Sequence, residues 1–212
     1  MDGDTLVETV RKRMATELDR LGSEKALVAA TEAQLDRERV LESTLAAERR
    51  AAATFDAWAE SEADPDARDA FERVAALERD HDDRVRELLD DADTDAAPDP
   101  DALHTHLRNL DSTPERVAAG LVARPLVSDR SLLQVVNFFV NEADESTADV
   151  IRDLRSETAA LVDDGVALLD SCCTDDADWE RARDAAAETV AVAYEEYAET
   201  LQGMGVDPAP VC

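Results

Sequence analysis

The chain has 212 residues, of which 51 are acidic and 22 are Lys or Arg, so its formal net charge is −29. Hydrophobic residues make up 44% of it, enough for a folded core, which excludes a fully disordered chain. The acidity excludes nucleic acids and anionic membranes as partners, because phosphate groups need a basic surface, and no apolar run is long enough to span a membrane.

The first part of the chain predicts an accessory helix followed by a helical hairpin. Apolar residues recur at helical spacing within residues 1–22. A long helical pattern follows at 24–62, and a turn at Pro65 separates it from a second pattern at 66–90. Two helices joined by a short turn should pack antiparallel, so we expect a hairpin over residues 23–91.

Residues 92–128 are predicted to form a long crossover. The segment 91–100 is rich in Asp, Ala and Pro and is expected to be a linker. Two short helices are expected at 102–110 and 114–122, and Arg124–Pro125 is expected to end the second of them.

The last part of the chain predicts a second hairpin. A third long helix is expected at about 129–170 and a fourth at about 178–202, which gives a hairpin over 129–203. Residues 204–212 form a tail. Helical patterns occur throughout and no long alternating pattern is present, so we expect an all-α chain in which residues 23–203 form one four-helix bundle.

Three residues that can bind metals interrupt the apolar stripes of the first hairpin. Glu48 lies in the stripe of the first helix, and Glu78 and His81 lie in that of the second. A spacing of three residues places Glu78 and His81 on one helix face, and Glu48 is about as far before the turn as Glu78 is after it. We therefore expect two carboxylates and one imidazole to converge, which is half of a carboxylate-bridged di-metal site.

The segment from Leu45 to His81 resembles the first hairpin of the rubrerythrin branch of the ferritin-like family. The resemblance is carried by Glu48, Phe55, Trp58–Ala59, Phe71, Ala75 and the Glu78-x-x-His81 motif. It implies a ferritin-like bundle and an iron site, with Glu78 bridging two iron ions and Glu48 and His81 as terminal ligands. It also implies an oxidoreductase that reacts ferrous iron with oxygen or peroxide.

The second half of the chain departs from the family pattern. Glu157 lies in or beside the third stripe, and Glu188 flanks the fourth, but Ala191 stands where a second Glu-x-x-His motif needs its His. Three arrangements stay open: an asymmetric site completed by Glu157, Glu188 or water, a single-metal site, or a site shared across a homodimer. Carboxylates with imidazole also admit manganese or zinc in place of iron.

The cysteines and the N-terminus favour a cytoplasmic protein. Cys172 and Cys173 are adjacent and Cys212 is the last residue, so there is no Cys-x-x-Cys pair and no rubredoxin-like electron-relay domain. The N-terminus lacks the basic and apolar regions of a signal peptide. The Cys172–Cys173 pair has two interpretations. It has a redox role, or its members are simply two small hydrophobic residues at a helix end.

The balance of charged residues resembles that of proteins from salt-in halophilic archaea. Lys12 and Lys25 are the only lysines, whereas arginines and Asp are abundant. In molar salt the Debye length falls to about 3 Å, which screens the repulsion between acidic groups. We therefore interpret most carboxylates as a solvated surface.

Two functions follow from the sequence. The first is a ferritin-like metal-binding protein, with iron as the expected ion and oxygen or peroxide as the expected small-molecule partner. The second is a degenerate ferritin-like bundle that serves as a non-catalytic structural or interaction module.

Overall fold

The computed structural model describes residues 1–89 and 98–209, and every regular element within these ranges is helical. The α-helices of these ranges are α1 (Gly3–Arg13), α2 (Ala15–Leu21), α3 (Lys25–Ala30), α4 (Arg37–Ser61), α5 (Pro65–Arg86), α6 (Ala102–Arg108), α7 (Thr113–Val117), α8 (Arg124–Asn141), α9 (Glu145–Cys172) and α10 (Asp176–Gly203). A π-helical segment, Ala118–Ala123, joins α7 to α8. None of the described helices has an apolar stretch sufficient to cross a membrane.

Some sequence predictions fall partly outside the described residues. These are most of the expected linker, at 91–97, and the end of the tail, at 210–212, which includes Cys212. The expected accessory region contains α1 and α2, which meet at Met14. The N-terminal helices α1 to α3 pack against α8, α9 and α10.

Helices α4 and α5 form a helical hairpin within the predicted 23–91 region. Helices α4 and α5 pack against each other over a short connection. Asp64 begins α5 by accepting hydrogen bonds from the backbone N–H groups of Asp66 and Ala67, both at 3.0 Å. Pro65 occupies the first turn, where its missing N–H would have no helical partner.

The helix predicted at 24–62 is wrong in one respect, because it is broken between α3 and α4. Glu32 and Ala33 have φ angles of 52° and 64°, in the left-handed region. The N–H of Ala33 bonds to the carbonyl of Val28 at 2.8 Å and closes α3. Asp36 then starts α4 by accepting a bond from a backbone N–H three residues later.

The single helix predicted at 129–170 is also wrong. Ala143 has a φ of 59°, and the N–H of Asp144 bonds to the carbonyl of Phe139 at 2.9 Å, which ends α8. The Asp144 carboxylate accepts bonds from the N–H of Thr147 at 3.2 Å and its hydroxyl at 2.7 Å, which starts α9. The second hairpin is therefore α8 with α9, and not the predicted third helix with α10.

Arg124–Pro125 begins a helix and does not end one. The helical run continues from α7 through the π-helical segment into α8, and Pro125 lies in the first turn of α8, where proline is tolerated. Gly120 in the π-helical segment lies against an indole, because a Cβ at this position would be 2.5 Å from Cζ3 of Trp58. The close approach therefore requires glycine.

Two hydrophobic clusters of buried residues lie among the described helices. One cluster includes Phe55, Trp58, Phe71, Val117 and Leu161. The other includes Leu41, Val85, Phe139 and Ile151. On α4, α5 and α9, mostly charged side chains lie between members of the two clusters, and Arg124 of α8 bonds to one of them. We call this set the polar layer: Glu48, Glu78, His81, Arg124, Glu157 and Thr158.

The order of the clusters along each helix gives its direction. Helices α4 and α9 run from the second cluster towards the first, and α5 and α8 run the opposite way. Helix α10 packs against α6, α7 and the π-helical segment. None of the residues that define the polar layer lies on α10.

Candidate metal centre

The first hairpin brings Glu48, Glu78 and His81 together in the polar layer. Glu48 is 6% exposed, and Glu78 and His81 are fully buried. One ligand atom from each residue lies within 4.8 Å of the other two. The three residues meet because α5 returns antiparallel to α4 after a short connection, which places them at one level, as the sequence predicted.

Two buried atoms of this group have no hydrogen-bond partner among the described residues. They are Oε2 of Glu78 and Nδ1 of His81, which are 3.9 Å apart. Nδ1 of His81 is also 3.4 Å from Oε2 of Glu48. Unpaired polar atoms in an interior are costly, so a ligand that bonds to both atoms would stabilise this arrangement.

A hydrogen bond to Glu157 fixes the orientation of the His81 ring. Nε2 of His81 is 2.8 Å from Oε2 of Glu157, and Nη1 of Arg84 donates to the same oxygen at 2.8 Å. A carboxylate accepts and does not donate, so we assign a proton to Nε2 of His81. Nδ1 then faces Glu48 and Glu78.

Arg124 is a member of the layer that the sequence did not predict. It is 4% exposed, and its Nη2 donates to Oε1 of Glu78. Its guanidinium carbon lies 5.2 Å from the ring centroid of Phe55. The sequence did contain a signal for a buried role of Arg124. It is a single cation within an otherwise apolar run, since Ala118–Ala123 and Leu126 carry no charge.

Burial raises the pKa of Glu78 to about 8, because desolvation disfavours its ionised form. The positive charge of Arg124 opposes this effect, and the neighbouring carboxylate of Glu48 adds to it. A bound cation would favour the ionised form of Glu78 and so oppose this rise in its pKa.

The structure places Glu157 and Glu188 differently. Glu157 reaches the layer, but it contacts the far nitrogen of His81 and lies outside the three-residue group. Glu188 is exposed on α10 and lines a different surface depression with Leu110 and Glu115. This corrects the spacing argument for Glu188, because α9 and not α10 is the helix that completes the layer.

The donor set fits one transition-metal ion. Metal bonds to imidazole nitrogen and carboxylate oxygen are about 2.0–2.2 Å long, so donors that share an ion are typically about 3–4 Å apart. The separations of 3.4 Å and 3.9 Å from Nδ1 of His81 agree with this range. Imidazole with carboxylates suits iron, manganese or zinc.

Comparisons with protein-family models, with characterised proteins and with solved structures find no match to this chain.

Proposed function

We propose that this protein binds one divalent transition-metal ion through Glu48, Glu78 and His81. The observation that carries the proposal is the pair of buried, unpartnered atoms, Oε2 of Glu78 and Nδ1 of His81, beside the Glu48 carboxylate. One ion would satisfy both atoms and offset the repulsion between the two carboxylates. Glu157 would act as a positioning residue that presents Nδ1 of His81 to the ion.

The contact of Arg124 with Glu78 supports a single ion. In the di-iron pattern Glu78 would bridge two ions with its two oxygens, but here Oε1 is bound by the Arg124 guanidinium. One oxygen, Oε2, remains for metal binding. The single-metal arrangement is therefore the one we favour among the three that the sequence left open. Burial of all three candidate ligands within one chain argues against a site shared across a homodimer.

We also propose that the bundle is ferritin-like. A hairpin (α4, α5), a long connection and a second hairpin (α8, α9), with α5 and α8 running in the same direction, agree with that connectivity. The fourth helix would then be α9, which supplies Glu157 without a following His, and α10 would be an addition. On this resemblance iron is the preferred ion, and it would supply redox chemistry towards oxygen or peroxide.

A second candidate function is a structural module without metal. It is favoured by the ion pairs of Glu78 with Arg124 and of Glu157 with Arg84, which neutralise carboxylates in the layer without an ion. Such pairs connect α5 with α8 and with α9 and can fix the register of the helices.

A titration with matched histidine variants separates the two functions. Metal-free protein in molar KCl is titrated with Mn²⁺, Zn²⁺ and, anaerobically, Fe²⁺, and melting is followed for the wild type, His81→Ala and His106→Ala. His106 is a matched control because it hydrogen-bonds Thr189 on α10, away from the three-residue group.

The metal-binding proposal predicts that the wild type and His106→Ala gain about 2.7 kcal/mol at an ion concentration one hundred times Kd. His81→Ala should lose this gain. An equal shift in all three proteins would indicate binding to surface carboxylates, and no shift in any of them would favour the structural module.

A further inference from the structure

A cavity of about 490 Å³ opens beside the candidate metal centre. Glu48, Arg124 and Thr158 of the polar layer line part of it. Its apolar walls come mainly from α2, α3 and α8, through Leu21, Leu27, Val127, Leu132 and Val135. This volume is within the range of small-molecule sites, which are about 300–1,000 Å³ and mostly apolar with a few polar groups.

The exposure of the lining residues shows how the cavity is oriented. Glu32 and Glu42 are exposed and mark its mouth, where Glu42 pairs with Arg39 at 3.5 Å. Arg124 and Glu48 are buried, and we call the part of the cavity that they line its inner end. If a ligand enters from solvent, the group that enters first would therefore meet Arg124 and Glu48 of the polar layer.

The acidic residues on one side wall have polar partners within the protein. Asp101 is 2.7 Å from Nδ1 of His104 and 3.6 Å from Nη1 of Arg50. Glu196 accepts a hydrogen bond from the backbone N–H of Ala102 at 3.2 Å, and burial raises its pKa.

Arg124 has unused capacity to bind an anion. A guanidinium carries five N–H donors, and among the described residues the hydrogen bonds of Arg124 are limited to the one with Glu78. Its buried Nε has no acceptor in the described part of the chain. If the proposed ion is bound, Glu48 and Glu78 neutralise its two positive charges and the charge of Arg124 is left uncompensated.

We propose that the cavity binds a monocarboxylic acid with an unbranched apolar chain, with the carboxylate at Arg124 and the chain against Leu27, Leu132 and Val135. This inference rests on the proposed function, because the bound ion is what makes the inner end net positive. A carboxylate matches the guanidinium through charge-assisted hydrogen bonds. The apolar walls select for chain length.

The test is calorimetric titration of the metal-loaded protein with sodium octanoate, with the metal content of the same sample measured by elemental analysis. We expect one octanoate per chain. Affinity should rise about fourfold for each methylene from butanoate to octanoate, since each buried methylene contributes about 0.8 kcal/mol. Octanol, which has the chain without the charge, should bind at least tenfold more weakly.

Two alanine variants provide a matched control. Ala29 is half-buried and lines the cavity, and Ala57 is exposed on α4. Ala29→Phe should reduce octanoate affinity at least tenfold and retain the metal, whereas Ala57→Phe should change neither.

Four results would overturn the inference: no octanoate binding to a metal-loaded sample, no dependence on chain length, equal binding of octanol, or equal effects of the two variants. The first of these results leaves the metal site intact. A sample that takes up no metal refutes the proposed function instead, and the charge argument for the acid fails with it.

Discussion

The buried carboxyl of Glu78 makes the stability of the metal-free protein depend on pH. Its pKa is raised from 4.5 to about 8, chiefly by desolvation. Below pH 4.5 the group is neutral in both the folded and the unfolded chain and has no effect on stability. Between pH 4.5 and 8 the unfolded chain is ionised at this group and the folded chain is not, so stability falls as pH rises and the full loss is reached above the folded pKa.

The magnitude follows from the shift. Each pKa unit corresponds to about 1.4 kcal/mol, so the loss between pH 4.5 and a pH above 8 is about 5 kcal/mol. Glu78→Gln keeps the shape of the side chain and removes its ionisation. The free energy of unfolding of the wild type should therefore fall relative to that of Glu78→Gln by this order of magnitude as pH rises from 5 to 9.

The assay is urea unfolding of both proteins at several pH values, in molar KCl with a chelator present. Molar salt screens the surface carboxylates, and the buried group is much less affected. An added divalent ion should reverse the trend for the wild type alone, because the ion binds the ionised carboxylate. Parallel pH profiles of the two metal-free proteins would refute this reasoning.

Two further predictions use matched pairs of residues. Glu157→Ala should weaken metal binding about 10–100-fold, because His81 loses the partner that orients its ring. Glu188→Ala, at an exposed residue of α10, should leave the affinity unchanged. Equal losses of affinity in calorimetric titrations would contradict this. Gly120→Ala should cost about 1–3 kcal/mol in urea unfolding, because the added Cβ collides with an indole ring, whereas Gly203→Ala, with open space around it, should be neutral or slightly stabilising. A neutral Gly120→Ala variant would show that the contact relaxes freely.

The first hairpin could be predicted because its signals are local. The turn at Pro65 and the three-residue spacing of Glu78 and His81 determine which side chains meet, and the structure places Glu48 beside them. Symmetry about a short turn needs no knowledge of the rest of the fold. For this reason the three candidate ligands were found from sequence alone.

The helix breaks at Ala33 and Ala143 were missed for a physical reason. Both breaks use non-glycine residues in the left-handed conformation, and each is followed by an Asp that caps the next helix. Aspartates that could cap a helix occur throughout so acidic a chain, so Asp36 and Asp144 do not stand out. Because the break at Ala143 was not predicted, α8 and α9 were interpreted as one helix, and the second hairpin was assigned to the wrong pair of helices.

The role of Arg124 depends on long-range packing. Its position in the polar layer requires the crossover to return along the bundle, and the π-helical segment to continue into α8 without a break. Neither feature is encoded in a local pattern. Because the wrong helices were paired, Glu188 on α10 was predicted at a place in the site that the structure gives to Glu157 on α9.

The most direct test of the central claim is the metal content per chain, measured by elemental mass spectrometry on untagged protein purified in molar salt. The measurement is repeated after anaerobic ferrous loading and on His81→Ala. The account predicts about one tightly bound ion per chain in the wild type and none in the variant. No metal after loading, two ions per chain, or equal content in the two proteins would contradict it.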